Sequence, residues 1–392
     1  MADIFNYKLQ PAEKCRFSIS KSGYKNIAWF WLTDSHYYIQ LGNVKLFESS
    51  KEWQDMYPSD CPYDEYPYIR QLEDLFDILP QIAAGISQTA YRFIYTKGSW
   101  EWLLREVEQW YEVVGDNTTE EQENVYSDLI YFLYHGCLNT GYLRFKSLLF
   151  FYHVGDKVII RYDFTDKNED GLPVWSASHG KFEITWTEFL YEIENLLNRF
   201  FTDMDKQVED AVCNLMNNDY YREFNMKDFR TGEKTNAINA LRKEHRERKE
   251  YFYSILDKVK KGDYKPDIDF EEIVKQIEFI RKDLLSKILD KPRILVDFNE
   301  LIEEDLILLS QKDTKADSAG NEISFCEGMP VGIYSDDNLD ENDHIDCIIA
   351  DGTAIRTPPE WQQNYGHVKW CCRIVGEYGK YDPQTDNNKE NK

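Results

Sequence analysis

Long apolar runs are missing from this sequence. The longest, LLFFYHV at 148–154, covers seven residues, and a helix needs about 20 to cross a bilayer. A membrane-spanning helix is therefore not expected. The opening residues MADIFNYKLQ lack the basic-then-apolar order of a secretory signal. Cysteine pattern is missing too. The eight cysteines, at 15, 61, 137, 213, 326, 347, 371 and 372, show neither a framework spacing nor CxxC, so a disulfide scaffold is not expected. A reducing cytoplasm is the expected compartment. No P-loop, GxGxxG, GxSxG or HExxH occurs. This removes the usual sequence signals for phosphate, dinucleotide, serine-hydrolase and zinc-protease chemistry. No cofactor, metal ligand set or catalytic residue is assigned. Positive charge is scarce: Lys and Arg number 46 against 71 Asp and Glu, for a net charge of −25. Nucleic-acid binding rests on Lys and Arg meeting phosphates, so a direct nucleic-acid partner is not expected. A basic protein partner is, because opposite charge speeds association.

Aromatic residues are plentiful, at 15%, which argues for folded structure over disorder. Charge is uneven along the chain. Residues 226–290 carry 16 basic and 14 acidic side chains, whereas 291–378 carry 7 and 18. These shifts predict an α+β domain over 1–225, a helical hairpin connector over 226–290, a small all-β domain over 291–378 and a disordered polar tail over 379–392. Within the first block IAWFWL (27–32), HYYIQL (36–41) and VKLF (44–47) read as strands. Helices are predicted from Ile69 to Ile86, from Trp100 to Val114, and from a Thr118/Glu121 capping box to about Leu133. LLFFYHV and KVIIRYDF make a hairpin over Gly155-Asp156, and PVWSA and GKFEIT continue that sheet. Thr185 and Glu188 then cap a helix whose stripe runs Phe189, Ile193, Leu196, Leu197, Phe200, Met204, Val208, Ala211, Val212 and Leu215. Residues 235–289 read as an αα-hairpin. The last block, RILVDF to CCRI, predicts a small antiparallel β barrel or sandwich.

Several stretches hold residue types that carry chemistry. GHVKWCCRIV (366–375) alternates as a strand, with Val368, Trp370, Cys372 and Ile374 on one face. His367, Lys369, Cys371 and Arg373 fall on the other, so Cys371 is expected to point outward. Adjacent thiols on opposite faces do not suit one metal ion. YHGCLNTGYL (134–143) gathers His135, Cys137 and Asn139, but a glycine-capped helix end explains it better than a hydrolase set. DKNEDG (166–171) starts like a calcium loop, yet Ala177 stands where the bidentate glutamate belongs, so a turn is expected. LRKEHRERKE (241–250) interleaves Glu244, Glu247 and Glu250 with its bases, as a solvated helix face does. His245 and Arg248 interrupt its apolar stripe and are candidates to face a partner. SDDNLDENDHID (335–346) is the densest acidic stretch and is expected to be an exposed loop.

AWFWLTDSHYYIQLG (28–42), GYLRF (141–145), VGDKVIIRYDF (154–164) and PVWSASHGKFEITWTEFL (173–190) resemble an uncharacterised bacterial family, a domain of unknown function, over roughly residues 10–205. ILVDFNEL…EGMPVGIYSDD…HVKWCCRI (294–374) similarly resembles a small, separately occurring β module of unknown function. No functional residue transfers from either. A fusion of two such modules resembles a polyimmunity protein, of the kind encoded beside polymorphic toxins. That resemblance implies a cytoplasmic binding protein that neutralises a toxin by occluding its basic active-site surface. The expected binding residues are Asp336, Asp337, Asp340, Glu341 and Asp343 with Tyr37, Tyr38, Tyr63, Asp64, Glu65 and Tyr66. Two alternatives stand beside it. One is an adaptor or regulator in bacterial or phage conflict. The other is an enzyme with a nonstandard site around His135 or His179.

Overall fold

A computed structural model of the protein describes residues 3–15, 18–19, 25–26, 28–95, 99–115, 118–143, 147–216, 231–262, 264–265, 268–340 and 344–380. Most of the expected tail lies outside them. The chain is α+β and forms two compact units, each made of two segments. The first holds Met1–Tyr91 and Tyr134–Ile268, the second Arg92–Leu133 and Asp269–Lys392. Among the described residues no helix is long and apolar enough to cross a membrane.

The first unit is built on a long central strand. Strands β1 (Phe5–Leu9), β2 (Asp34–Leu41), β3 (Val44–Leu46) and β4 (Asp64–Pro67) form one antiparallel sheet. β2 pairs with β1 on one side and with β3 and β4 on the other. Its alternation sends Tyr37, Ile39 and Leu41 into the core. IAWFWL, expected as a strand, instead coils as a 3-10 helix over Trp29–Thr33. Trp29 and Leu32, three residues apart, are both fully buried, which is the repeat of that helix. A continuous apolar run carries no period of its own, so the pattern could not choose.

A second sheet, β5 (Leu148–Val154), β6 (Lys157–Asp163) and β7 (His179–Thr185), is an antiparallel meander. Its first turn is Gly155-Asp156, with Gly155 at φ +66°. PVWSA does not join it. Val174 and Trp175, adjacent in sequence, are both buried, and only isolated bridges Lys167↔Pro173 and Ser49↔Trp175 form there. Helix α1 (Lys51–Met56) lies between β3 and β4 of the first sheet, α2 (Tyr68–Ala84) follows β4, and the short α3 (Gln88–Ile94) leads on.

The second unit begins with α4 (Ser99–Val114) and α5 (Glu120–Leu133). The cap of α5 lies one residue beyond the expected one. The Thr119 hydroxyl accepts from the Gln122 amide at 3.3 Å, and Gln122 Oε1 accepts from the Thr119 amide at 2.9 Å. Back in the first unit, α6 (Trp186–Asp210) starts from the expected Thr185/Glu188 capping box and buries the predicted stripe from Phe189 to Val208, which Ala211 and Val212 continue in a π-helical turn; the Leu215 side chain lies outside the described residues. Each large buried side chain of the stripe contributes roughly 1.5–3 kcal/mol. The two helices expected over 235–289 are α7 (Thr231–Lys261) and α8 (Phe270–Ile288). α7 packs on α6 and α2 in the first unit, and α8 on α4 and α5 in the second.

The second unit's sheet contains β8 (Ile294–Leu295), β9 (Leu301–Glu303), β10 (Leu306–Ser310), β13 (Met329–Leu339), β14 (Ile345–Arg356), β15 (Trp370–Ile374) and β16 (Gly379–Lys380). The order is β8-β13-β14-β15-β10-β9, with β16 on β14. β8 runs parallel to β13, and the other pairs are antiparallel. A separate ribbon pairs β11 (Thr314–Ala316) with β12 (Glu322–Ser324). Apolar clusters lie on both faces: Ile307, Ile333, Trp370 and Cys372 in one, Leu306, Leu308, Val368 and Cys371 in another. The path is open rather than closed among the described residues, which fits the sandwich alternative.

Candidate interaction surface

The β2–β4 pair brings the first group of expected binding residues together. Register sets Tyr37 opposite Asp64, His36 opposite Glu65 and Ser35 opposite Tyr66. Neighbours on a strand point to opposite faces, so Tyr37 and Tyr38 cannot share a surface. Tyr37 is 1% exposed, which removes it from any contact face and corrects the expectation. Tyr38 stacks on Tyr63 with centroids 4.4 Å apart. Lys45 Nζ donates to the Tyr63 hydroxyl at 2.7 Å and lies 5.2 and 5.1 Å from the two ring centroids. That hydrogen bond holds the amine above the ordinary lysine range. Glu65 is exposed, and Tyr66 is half-buried against Tyr142, centroids 4.8 Å apart.

Asp64 turns partly inward. Its Oδ1 accepts from the Glu65 amide at 3.0 Å, while Oδ2 is buried with no partner. Burial raises this carboxyl above the ordinary range. Nearby lies a polar cluster the sequence did not disclose. The Tyr37 and Tyr142 hydroxyls face each other, and burial drives both well above the usual tyrosine range. Asp74 of α2 is 4% exposed. Arg70 Nη2 reaches its Oδ1 at 3.1 Å, but Oδ2 is buried without a partner. Burial raises the Asp74 carboxyl to about 6, with Arg70 opposing. Gln71, Asp74 and Ile78 form a second buried line on α2 beside the apolar stripe, so one-sided periodicity overlooks it.

An outward-facing part of this unit lies just upstream. Ser50 caps α1, its hydroxyl accepting from the Trp53 amide at 3.0 Å. No residue of α1 is buried. Trp53 and Tyr57 pack at i,i+4 with centroids 4.4 Å apart and ring planes tilted by 38°, and Met56 and Tyr57 are 47% and 45% exposed. Glu52, Asp55 and Asp60 are exposed among them. Trp53 is half-buried against the unit's core, while Met56, Tyr57 and the carboxylates of residues 51–60 are exposed.

The second group of expected binding residues lies in the second unit and is less free than a loop. Asp336 and Asp337 belong to strand β13, where the ladder shifts between Ser335 and Asn338. Such a two-residue irregularity is a bulge. Asp336 is half-buried, and its charge acts on Glu106, Arg281, Tyr334 and Cys347. Arg281 makes a bidentate pair with the buried Glu106 at 2.7 and 2.8 Å. Asp340 Oδ1 accepts from the His344 amide at 2.9 Å, and His344 Nε2 lies 3.0 Å from Glu112 Oε2. Gln109 of α4 then clamps Ile345, donating to its carbonyl at 3.1 Å and accepting from its amide at 2.8 Å. Thus Asp336 and Asp340 engage their own chain. The Asp337 side chain, Glu341 and Asp343 lie outside the described residues.

Residues 4–276 match the profile of a family described as a family of unknown function (DUF5984). The chain belongs to that family. No curated protein and no solved structure gives a match. The DUF5984 match extends past the expected 10–205 and takes in α7 and the start of α8.

Within the DUF5984 region the basic helix faces inward at the two residues expected to meet a partner. The Trp29 indole N–H donates to His245 Nδ1 at 3.1 Å, and His245 Nε2 lies 2.7 Å from Asp205 Oδ1. An indole can only donate, so Nδ1 is the acceptor and the proton sits on Nε2. Both ring nitrogens are thereby occupied, leaving neither to act as a base. Arg248 stacks 4.8 Å from the Trp29 ring and pairs with Glu73 at 2.6 Å. These contacts fasten α7 to α2, α6 and the Trp29 turn. The YHGC stretch is a turn, as expected: Gly136 has φ +67°, and the Asn139 Oδ1 accepts from the Gly141 amide at 2.9 Å. DKNEDG is also a turn, with Asn168 Oδ1 accepting from the Asp170 and Leu172 amides.

Outside the family match, Cys371 corrects its expectation. It is fully buried, like Cys372, among Leu306, Leu308 and Val368. Burial raises its thiol and pushes those of Cys372 and Cys347 up to about 12, so these thiols are inert hydrophobes at neutral pH. Among the described residues no group of three or more His, Cys, Asp or Glu is placed to hold a metal ion.

Proposed function

We propose that this protein binds a basic partner protein and covers its working surface, as an immunity protein neutralises a toxin. The observation that carries the reading is the α1 surface. There Met56 and Tyr57 stand exposed, beside the half-buried Trp53, among Glu52, Asp55 and Asp60, on a helix with no fully buried residue. Exposed rings beside carboxylates suit a partner whose cleft is lined by Lys and Arg. Opposite charge raises the encounter rate, and desolvated rings slow dissociation. The net charge of −25 supports the same partner class. The Tyr38–Tyr63 stack and Glu65 extend the acidic, aromatic character into β4.

The test is capture of the partner by the tagged full chain from its native cells at low salt. A basic protein should be retained by the wild type, lost with E52Q/D55N/D60N, and released at high salt. Expressed alone, that partner should arrest growth, and co-expression of this chain should relieve the arrest. Capture that survives the triple substitution and Y57A would remove α1 from the interface. An acidic partner, or one harmless when expressed alone, would overturn the reading itself.

A further inference from the structure

In the second unit several arginines, buried and exposed, are paired with carboxylates. Arg293, 3% exposed, is held by Asp290 and Asp351. Arg281 is held by Glu106, and Arg373 by Glu303 and Asp305. Lys315 breaks this pattern. It is half-buried on strand β11, and its Nζ donates to the Leu309 carbonyl at 3.0 Å. Among the described residues no carboxylate approaches its amine within the 4 Å of an ion pair. Glu300 is near enough for its charge to act on the amine but does not touch it. Burial holds the Lys315 amine below the ordinary lysine range, with Glu300 opposing. A half-buried ammonium with no counter-charge is costly, and this chain has acids to spare.

Lys315 lines a groove of about 600 Å³, within the size range of small-molecule sites. Lys312, which makes no ion pair among the described residues, lines it too. So do Asp297, Glu300 and Glu322, leaving three formal negative charges against two positive ones. That balance disfavours a dianion such as phosphate. It favours a molecule with one negative and one positive end, able to occupy the gap between Lys315 and Glu300. Val296 and Leu308 supply apolar wall for the rest of such a molecule.

We infer that this groove binds a small zwitterion of the amino-acid type, its carboxylate on Lys315 and its ammonium toward Glu300. The inference is independent of the α1 surface. Its test uses the full chain and four probes of equal length: norvaline, pentanoate, pentylamine and pentanol, followed by calorimetry and amide chemical shifts. Norvaline should bind best and pentanoate next, with pentylamine and pentanol weakest. K315M should weaken norvaline and pentanoate by about tenfold or more, while K315R keeps the preference for a carboxylate. E300Q should abolish the advantage of norvaline over pentanoate. K275M, on the exposed face of α8, should change nothing. Equal binding of all four probes, no saturation up to about 10 mM, or unchanged binding by K315M with its urea midpoint intact would each overturn the assignment.

Discussion

Asp74→Asn should stabilise the protein, and by an amount that depends on pH. The Asp74 carboxyl is buried, holds Arg70 through one oxygen and leaves the other unsatisfied. Around it stand Arg70, Glu73 and Asp77 on its own helix, and Tyr142 from the facing turn. Its value in the fold is about 6 against an ordinary 3.8. Because the folded value is the higher one, the fold disfavours the ionised form. The penalty is nearly absent below the ordinary value, grows from about pH 4 to pH 6, and is complete above. About two pH units at 1.36 kcal/mol each amount to roughly 3 kcal/mol at pH 8, and only about 0.5 kcal/mol at pH 4. The pair with the 40%-exposed Arg70 is worth about 0–1 kcal/mol, and the Asn oxygen can keep that hydrogen bond. Desolvation therefore wins. Urea unfolding at pH 8 and pH 4, on either side of the sequence pI of about 4.7, should show a gain near 3 kcal/mol at the first and little at the second. In thermal melts at pH 8 this is about 6–12 °C for a domain of 150–250 residues. An equal gain at both pH values would mean packing rather than ionisation is at work. Destabilisation at both would refute the unsatisfied carboxylate.

Two glycines with the same backbone angle should respond differently to alanine. Gly136 has φ +67° and a Cβ there would sit 2.3 Å from the Phe151 carbonyl oxygen, whereas Gly155 at φ +66° has nothing within 4 Å. Urea midpoints should give about 1 kcal/mol for G155A and more than about 3 kcal/mol for G136A. His245→Ala should cost about 2–3 kcal/mol, since it leaves the buried Trp29 N–H unpaired. Nitrogen NMR of the wild type should find the His245 proton on Nε2. A thiol reagent should modify the exposed Cys213 and Cys326 in the native protein, and Cys347, Cys371 and Cys372 only after unfolding. Early reaction at Cys371 would contradict its burial.

What the sequence made legible was periodicity, and what it hid was the choice between equivalent registers and the identity of covering layers. The α6 stripe and its Thr185 cap could be read because seven apolar positions and one capping pair agree on a single helix. At α5 the run TTEEQE offers Thr118 with Glu121 and Thr119 with Gln122, two equivalent boxes, and the fold takes the second. For Cys371 alternation named the face correctly but not what lies on it. Lys369 and Arg373 on that face reach outward to Asp313, Glu303 and Asp305, while the thiol between them lies beside Leu306 and Leu308 of the neighbouring strand, in a cluster that Val368, Trp361 and Tyr365 join. Long bases can leave a buried strand by their ends, so charged neighbours do not prove exposure.

The same distinction governs where a partner could be met. Net charge says how strongly the whole molecule draws a cation, but not which carboxylates remain to be used. Asp336 lies within the field of Arg281 and Glu106, Asp340 caps His344, and Asp64 buries one oxygen under the sheet. Those acids already answer to groups of their own chain, so neutralising them would alter folding together with binding and confuse the two. On α1 the carboxylates of Glu52 and Asp55 have no such duty: both are exposed and make no ion pair among the described residues, while Trp53 of the same helix packs on the core. Removing them should leave the urea midpoint within about 0.5 kcal/mol of wild type while partner capture falls. Capture lost only together with stability would point away from α1 and back to the residues that hold the fold.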